Sequence, residues 1–241
     1  MDNEKIKNIV KDASDAGKKT LSEPVAKEIL RLSSISVPIF CVVQDMEDAV
    51  KNAEEIGYPV VLKIISPDIV HKSDMHGVSV GIKNSGELEE KMSFMILAVA
   101  DESPTACIEG FIIEKMAPNG VEVIVGVVKD EQFGPVVMFG LGGAAVELMK
   151  DVAFRLAPVD KNEAVEMMRE VKGYPLLAGF RGSSAKDIEA VADVIVKLAG
   201  MISETDGIKE FEINPLIVHE HGVVAVDARA VLESPGQIKA A

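Results

Sequence analysis

Hydrophobic positions recur along this chain with two different periods. Ile6, Ile9, Val10 and Ala13 fall at helical spacing among lysines and aspartates, which predicts a peripheral amphipathic helix within residues 1–20. Ser22 suits an N-cap, followed by Pro24 in the first turn and by Val25, Ile29 and Leu30 on one helical face. "VPIFCVV" (37–43) predicts a short buried strand. "MEDAVKNAEEIG" (46–57) predicts a helix closed by Gly57, and "YPVVLKI" (58–64) the next strand. "GVSVGI" (77–82) alternates as a strand does, and Ser85 opens a helix to about Ala100.

The second half is richer in strands. "GFIIEKM" (110–116), "GVEVIVGVV" (120–128) and "GPVVMFG" (134–140) follow one another across short polar turns, the signature of an antiparallel meander. Helical spacing returns at about 160–171 and 184–203, and the chain closes with "EFEINPLIV" and "GVVAVDA". No repeat of 20–50 residues is present. The expectation is an α+β fold in two lobes, joined near residues 101–120.

Composition narrows the function classes. The 241 residues suffice for one large domain or two small ones, and 48% hydrophobic content fits a globular chain. Aromatics at 4% with no Trp leave little material for a base-stacking surface. A net charge of −14 disfavours nucleic acid and anionic membrane as general partners, though not a local phosphate pocket. Cys41 and Cys107 lie in apolar runs and read as buried, reduced thiols. The N-terminus is charged, without a secretory h-region, and no apolar run reaches the ~18 residues of a membrane span. Cytoplasmic residence is the expectation.

Three stretches carry candidate chemistry. In "EFEINPLIVHEHGVVAVDAR", a hairpin turning at Glu220–His221 makes Asn214 face Asp227 and Glu212 face Arg229, all on one face. An amide oxygen and a carboxylate at about 5 Å Cβ separation suit a hard cation such as Mg²⁺, with phosphates completing the shell. Pro215 marks an edge or bulge. The same spacing also fits an ordinary solvated hairpin with a Glu–Arg pair. "MFGLGGAAVE" contains Gly140-x-Gly142-x-x-Ala145, but without a βαβ context it reads as a glycine loop near a phosphate or partner rather than a dinucleotide fingerprint. In "VVLKIISPDIVHKSDMHGVSV", Lys63 sits inside a buried apolar strand and so requires a partner, for which a bound anion is one explanation. His71, Asp74 and His76 follow closely; the chain offers no fourth ligand at zinc spacing.

"GYPVVLKIISPDIVHKSDMHGV", "GVEVIVGVVKDEQFGPVVMFGLGGAAVELMKDVAFRLAP", "GFRG" and "EINPLIV…VDAR" occur together in this order. The set resembles an ATP-grasp protein, specifically the nucleotide-binding β subunit of the ADP-forming acetyl-CoA (acyl-CoA) synthetases, relatives of the succinyl-CoA synthetase β subunit, over about residues 21–233. The resemblance implies an ATP-grasp fold with two α+β lobes and the nucleotide between them. Residues 1–20 would form a helical arm, 21–110 the N-terminal lobe, 111–233 the C-terminal lobe and 234–241 a tail. It further implies Lys63 on nucleotide phosphates, Glu114 and Met116 in an inter-lobe segment around adenine, and Glu122 on ribose. Asn214 and Asp227 would hold Mg²⁺, and Glu212 would meet a histidine of the partner subunit.

His71 matches the acyl-CoA synthetases and departs from succinyl-CoA synthetase. It is the implied phosphoryl carrier, with Asp74 orienting its ring. Neutral imidazole is a good nucleophile at pH 7. The implied reaction is acyl-CoA + ADP + phosphate giving acid + CoA + ATP, with ATP/ADP and Mg²⁺ as cofactors. This chain would need an α subunit carrying the CoA-binding domain and a first phosphohistidine, in an α2β2 assembly. A regulatory or binding module of a protein-acetyltransferase-like assembly is the alternative; a stand-alone carboxylate–amine ligase would not need the "HKSD" histidine. Arg155 and Arg181 sit in similar motifs and fit either phosphate or interface contacts or structural salt bridges.

Overall fold

The structure, a computed structural model, describes residues 2–69, 72, 75–142 and 151–233. The chain divides into two compact units. One runs from Pro38 to Pro118, and the other joins the chain before it to the chain after it.

The larger unit begins with α1 (Asn3–Asp15), β1 (Thr20–Leu21) and α2 (Glu23–Leu32). Asp2 caps α1 by accepting from the Lys5 N–H, and the helix buries Ile6 and Val10. Ser22 occupies the N-cap of α2, without a side-chain cap bond, and Pro24 lies in its first turn. α2 buries Ile29 and Leu30 in the same core cluster as Ile6 and Val10. The described residues up to Val37 therefore pack with the larger unit rather than with the smaller one. The hydrophobic pattern shows that these helices have an apolar face but not which sheet covers it.

The smaller unit contains β2 (Phe40–Val43), α3 (Met46–Ile56), β3 (Val60–Ile65), β4 (Val78–Ile82), α4 (Ser85–Glu102) and β5 (Gly110–Lys115). Its four strands pair antiparallel in the order β2-β5-β3-β4. β3 is interior, and all six of its residues are buried. Asp45 caps α3, which ends at Gly57 with φ +80°, the left-handed region glycine enters readily. Asn84 caps α4 by accepting from the Glu87 N–H. Ala49, Ala53, Leu88, Met92, Met95 and Val99 from these helices pack with Leu62, Ile64 and Ile113 of the sheet.

The chain then returns to the larger unit through β6 (Val121–Asp130), β7 (Gly134–Leu141), β8 (Val152–Leu156), α5 (Lys161–Glu170), α6 (Pro175–Ala178), α7 (Ile188–Glu204), β9 (Ile208–Val218), β10 (Val223–Ala225) and β11 (Ala228–Leu232). Its sheet runs β1-β11-β9-β6-β7-β8, with β10 also on β9, and the pairings are antiparallel. The meander that forms is β6-β7-β8, in place of the expected one from "GFIIEKM" through "GPVVMFG". The "GFIIEKM" strand is β5 of the other sheet, bonded to β2 and β3. α7 buries eight residues, Val191 to Ile202, in the larger core.

Cys41 is half-buried, and its Sγ lies 3.7 Å from the Ile113 carbonyl oxygen. Burial pushes its thiol pKa up. Cys107 is exposed, contrary to its apolar sequence neighbourhood, because it lies in the connection before β5 rather than in the strand. Among the described residues, no helix is long and apolar enough to cross a membrane.

Candidate functional site

The larger unit builds one cluster from its last hairpin. β10 and β11 both run back along β9, with Val223 opposite Val218, Ala228 opposite Ile213 and Arg229 opposite Glu212. The turn closes through His219 N–H to the Gly222 oxygen at 3.1 Å, with Glu220 and His221 at its tip. Asp187 fixes this turn. Its Oδ2 accepts from Gly222 N at 2.7 Å, and its Oδ1 accepts from Ala190 N at 3.0 Å, capping α7. Those two bonds hold the Asp187 carboxyl below its ordinary pKa, Gly222 contributing most.

Between β10 and β11, the Asn214 N–H donates to the Asp227 oxygen and the Val226 N–H to the Pro215 oxygen, each at 3.2 Å. Asn214 and Asp227 therefore face each other in the register the spacing predicts. Phe211, Ile213, Ala228 and Ala230 are buried, while Glu212, Asn214, Asp227 and Arg229 lie on the opposite, open face. On the other side of β9 the pairing with β6 shifts between Val123 and Val125, so that Ile124 alone answers both Asn214 and Pro215. This bulge turns Asn214 outward while Ile213 and Leu216 both stay in the core.

Asn214 Nδ2 lies 3.4 Å from Glu212 Oε1, and Asp227 Oδ1 accepts from Ala228 N at 2.8 Å. The donor set is an amide oxygen and carboxylates, which fits a hard divalent cation and no soft metal. Among the described residues, no group of three or more His, Cys, Asp or Glu side chains could hold a metal ion.

Glu122 opens β6 on the same sheet and is exposed, opposite Ile217. Its carbonyl accepts from Gly142 N at 2.6 Å. A Cβ on Gly142 would stand 2.8 Å from Glu122 backbone and side-chain carbons, so the glycine permits this crossing. Ala145 of the glycine loop lies outside the described residues.

The smaller unit holds Lys63, Glu114 and Met116. Lys63 Nζ lies 2.8 Å from Glu114 Oε1, with the two side chains only 6% and 2% exposed. Val61 is the direct partner of Glu114 and Ile112 that of Lys63, so the ion pair runs diagonally between β3 and β5. Sequence reasoning assigned both residues but missed that they bind each other. Met116 is half-buried, its N–H bonded to the Pro59 oxygen at 3.2 Å.

After β3, Gly77 crosses β3 so closely that a Cβ would meet Ile64 Cγ2 at 2.8 Å, and its N–H bonds the Lys72 oxygen at 2.7 Å. His71 and Asp74 lie outside the described residues. His76 packs edge-on against Phe94, with Nε2 3.5 Å from Glu102 Oε1.

Arg155 pairs with Glu170, tying β8 to α5 on the core side, and this pairing raises its pKa. Arg181 is exposed with φ +51° and stacks 5.2 Å from the Phe180 ring centroid.

A family model described as an ATP-grasp domain matches residues 12–232. The chain is 50% identical over 228 residues to the β subunit of acetate–CoA ligase (ADP-forming) I of Pyrococcus furiosus, covering 95% of this chain and 98% of that subunit. It is 42% identical over 234 residues to acetate–CoA ligase (ADP-forming) I of Archaeoglobus fulgidus, covering 96% of this chain but 34% of that longer protein.

Among solved structures, the dinucleotide forming acetyl-coenzyme A synthetase 1 of Ca. Korarchaeum cryptofilum, in complex with coenzyme A, Ca-AMPCP and HgCl+, superposes with a TM-score of 0.92 at 42% identity. It covers 94% of this chain and 99% of that chain. A second structure of that protein has coenzyme A and Mg-AMPPCP, with its phosphohistidine segment pointing towards the nucleotide binding site. It gives a TM-score of 0.82 at 40% identity, again covering 94% and 99%. The chain belongs to the ATP-grasp family, and within it to the β subunits of the ADP-forming acetate–CoA ligases. These relatives are named as ligases, so the alternative of a regulatory module without its own turnover falls away.

Proposed function

We propose that this chain is the nucleotide-binding β subunit of an ADP-forming acyl-CoA ligase, working with an α subunit in the reversible reaction acyl-CoA + ADP + phosphate = acid + CoA + ATP. The observation that carries the reading is the Asn214–Asp227 pair on the open face of the larger sheet, with Glu212 beside it. Around this pair stands near end-to-end similarity to a named β subunit.

In this reading Lys63 contacts the phosphates of ADP, Met116 lines the adenine end and Glu122 binds ribose. Asn214 and Asp227 hold Mg²⁺, which when bound neutralises phosphate charge. His71 carries the phosphoryl group, with Asp74 orienting its imidazole. In the direction of ATP synthesis, a β-phosphate oxygen of ADP attacks phosphorus, the N–P bond breaks and the ring nitrogen keeps the electron pair. Lys63 stabilises the charge on the transferring group. Glu212 receives the ring of a histidine from the α subunit, which brings the CoA site and the first phosphohistidine in an α2β2 assembly. Support for a separate partner comes from the Pyrococcus relative, which is named as a β subunit and is covered over 98% of its length.

The test is phosphoryl labelling with γ-labelled Mg-ATP, comparing wild type with His71→Ala, alone and with a cognate α subunit. Acid-labile, base-stable label on wild type only is expected, with ADP affinity nearly unchanged in the variant. Equal labelling of both, or loss of ADP binding in His71→Ala, would overturn the role of His71.

A further inference from the structure

We propose that Glu114 is a positioning residue for Lys63, acting on the nucleotide phosphates through the lysine rather than on adenine directly. The inference rests on the nucleotide-binding reading above and changes the role that the resemblance implies for one of its residues.

Lys63 stands in the interior strand of its sheet, where every β3 position is buried. An ammonium there needs a counter-charge, or it loses its proton or its place. Glu114 supplies that charge: its Oε1 is 2.8 Å from Nζ, and its own side chain is the less exposed of the two. The diagonal placement on adjacent strands fixes both stems, since β3 and β5 are bonded along six consecutive residue pairs. A lysine ammonium has three N–H donors arranged tetrahedrally. Holding the ammonium on a carboxylate fixed by the sheet restricts the four-carbon stem and sets where Nζ stands.

The experiment is a double-mutant cycle on Mg-ADP affinity, measured by calorimetry with the chain assembled with its α subunit, using Glu114→Gln, Lys63→Met and the double variant. If Glu114 acts through Lys63, Glu114→Gln weakens ADP binding about tenfold or more, the scale of a charge-assisted bond. In the Lys63→Met background it then changes nothing further. Additive losses would mean that Glu114 touches the nucleotide on its own and would overturn the proposal. So would a folded Glu114→Gln variant of unchanged ADP affinity, the outcome for a pair that serves stability alone.

Should Glu114→Gln fail to fold, Lys63→Met compared with Lys63→Met/Glu114→Met decides the matter, because an apolar pair replaces the ion pair without stranding a charge. Equal ADP affinity supports positioning through Lys63, and a further loss overturns it. Wild-type protein that does not bind Mg-ADP would instead remove the nucleotide-binding reading itself.

Discussion

The two units hold charged side chains on their sheets in opposite ways. On the β9–β11 hairpin, Glu212, Asn214, Asp227 and Arg229 occupy an open face, where Asn214 and Arg229 are exposed and Glu212 and Asp227 are half-buried. On β3 and β5, Lys63 and Glu114 lie inside the sheet and depend on each other. The comparison separates two ways of placing a functional group. A face that water reaches puts no large burial penalty on a charge. An interior position imposes a structural debt on it, because a buried charge without its partner is unstable.

The largest effect expected from this contrast is on folding. Lys63→Ala strands the Glu114 carboxylate and empties a buried stem, so it should destabilise the protein by about 3–5 kcal/mol, read from urea or thermal unfolding. Asp227→Ala, which loses the bond from Ala228 N, should cost about 1 kcal/mol of stability, well below Lys63→Ala. It should weaken Mg-dependent ADP binding about tenfold or more, with binding in EDTA unaffected. An Asp227→Ala protein with unchanged Mg-ADP affinity would remove the hairpin from the site.

A smaller effect tests the join between glycine loop and sheet. Gly142→Ala places a Cβ 2.8 Å from the backbone of Glu122. The cost should be about 1–3 kcal/mol of stability, with weaker ADP binding because Glu122 must shift. Gly126→Ala is the control: its Cβ would meet only the flexible Met138 terminus, at 3.4 Å, and Phe211 oxygen at 3.8 Å. Equal stability of Gly142→Ala and wild type would show that the crossing tolerates a side chain.

The same contrast explains what the sequence makes legible. Period-two alternation and a short turn fix the partners of Glu212 and Asn214, because local geometry suffices to pair two strands joined by a hairpin. The ATP-grasp fold is legible from the ordered motifs. The partner of Lys63 is not, since Glu114 is 51 positions away and reaches it only when β5 joins β3. The assignment of "GFIIEKM" to the wrong sheet has the same cause, as alternation marks a strand without naming its neighbours. α1 and α2 likewise show an apolar face, but their place on the larger core depends on strands more than a hundred residues later. Cys107 shows the converse: an apolar neighbourhood in sequence that lies on a connection at the surface.

The smallest effect concerns Arg155, which the motif "FRLAP" left open between a phosphate contact and a structural pair. Its guanidinium bonds the carboxylate of Glu170 on α5 and the Phe154 carbonyl on its own strand. It therefore serves as a tie between strand and helix. Glu170 is more than half exposed, so water and salt screen the pair. Arg155→Ala should cost no more than about 1 kcal/mol, less still at high salt, and ADP affinity should not change. The acid limb has a definite sign. Arg155 holds the Glu170 carboxyl below its ordinary pKa, so the pair's contribution is full above the unfolded-state value and fades as pH falls through the depressed one. Unfolding midpoints of wild type and Arg155→Ala should therefore converge on acidification. A gap that persists in strong acid would show that Arg155 stabilises by packing its stem and not by its charge, and a loss of ADP affinity would move it from the scaffold to the site.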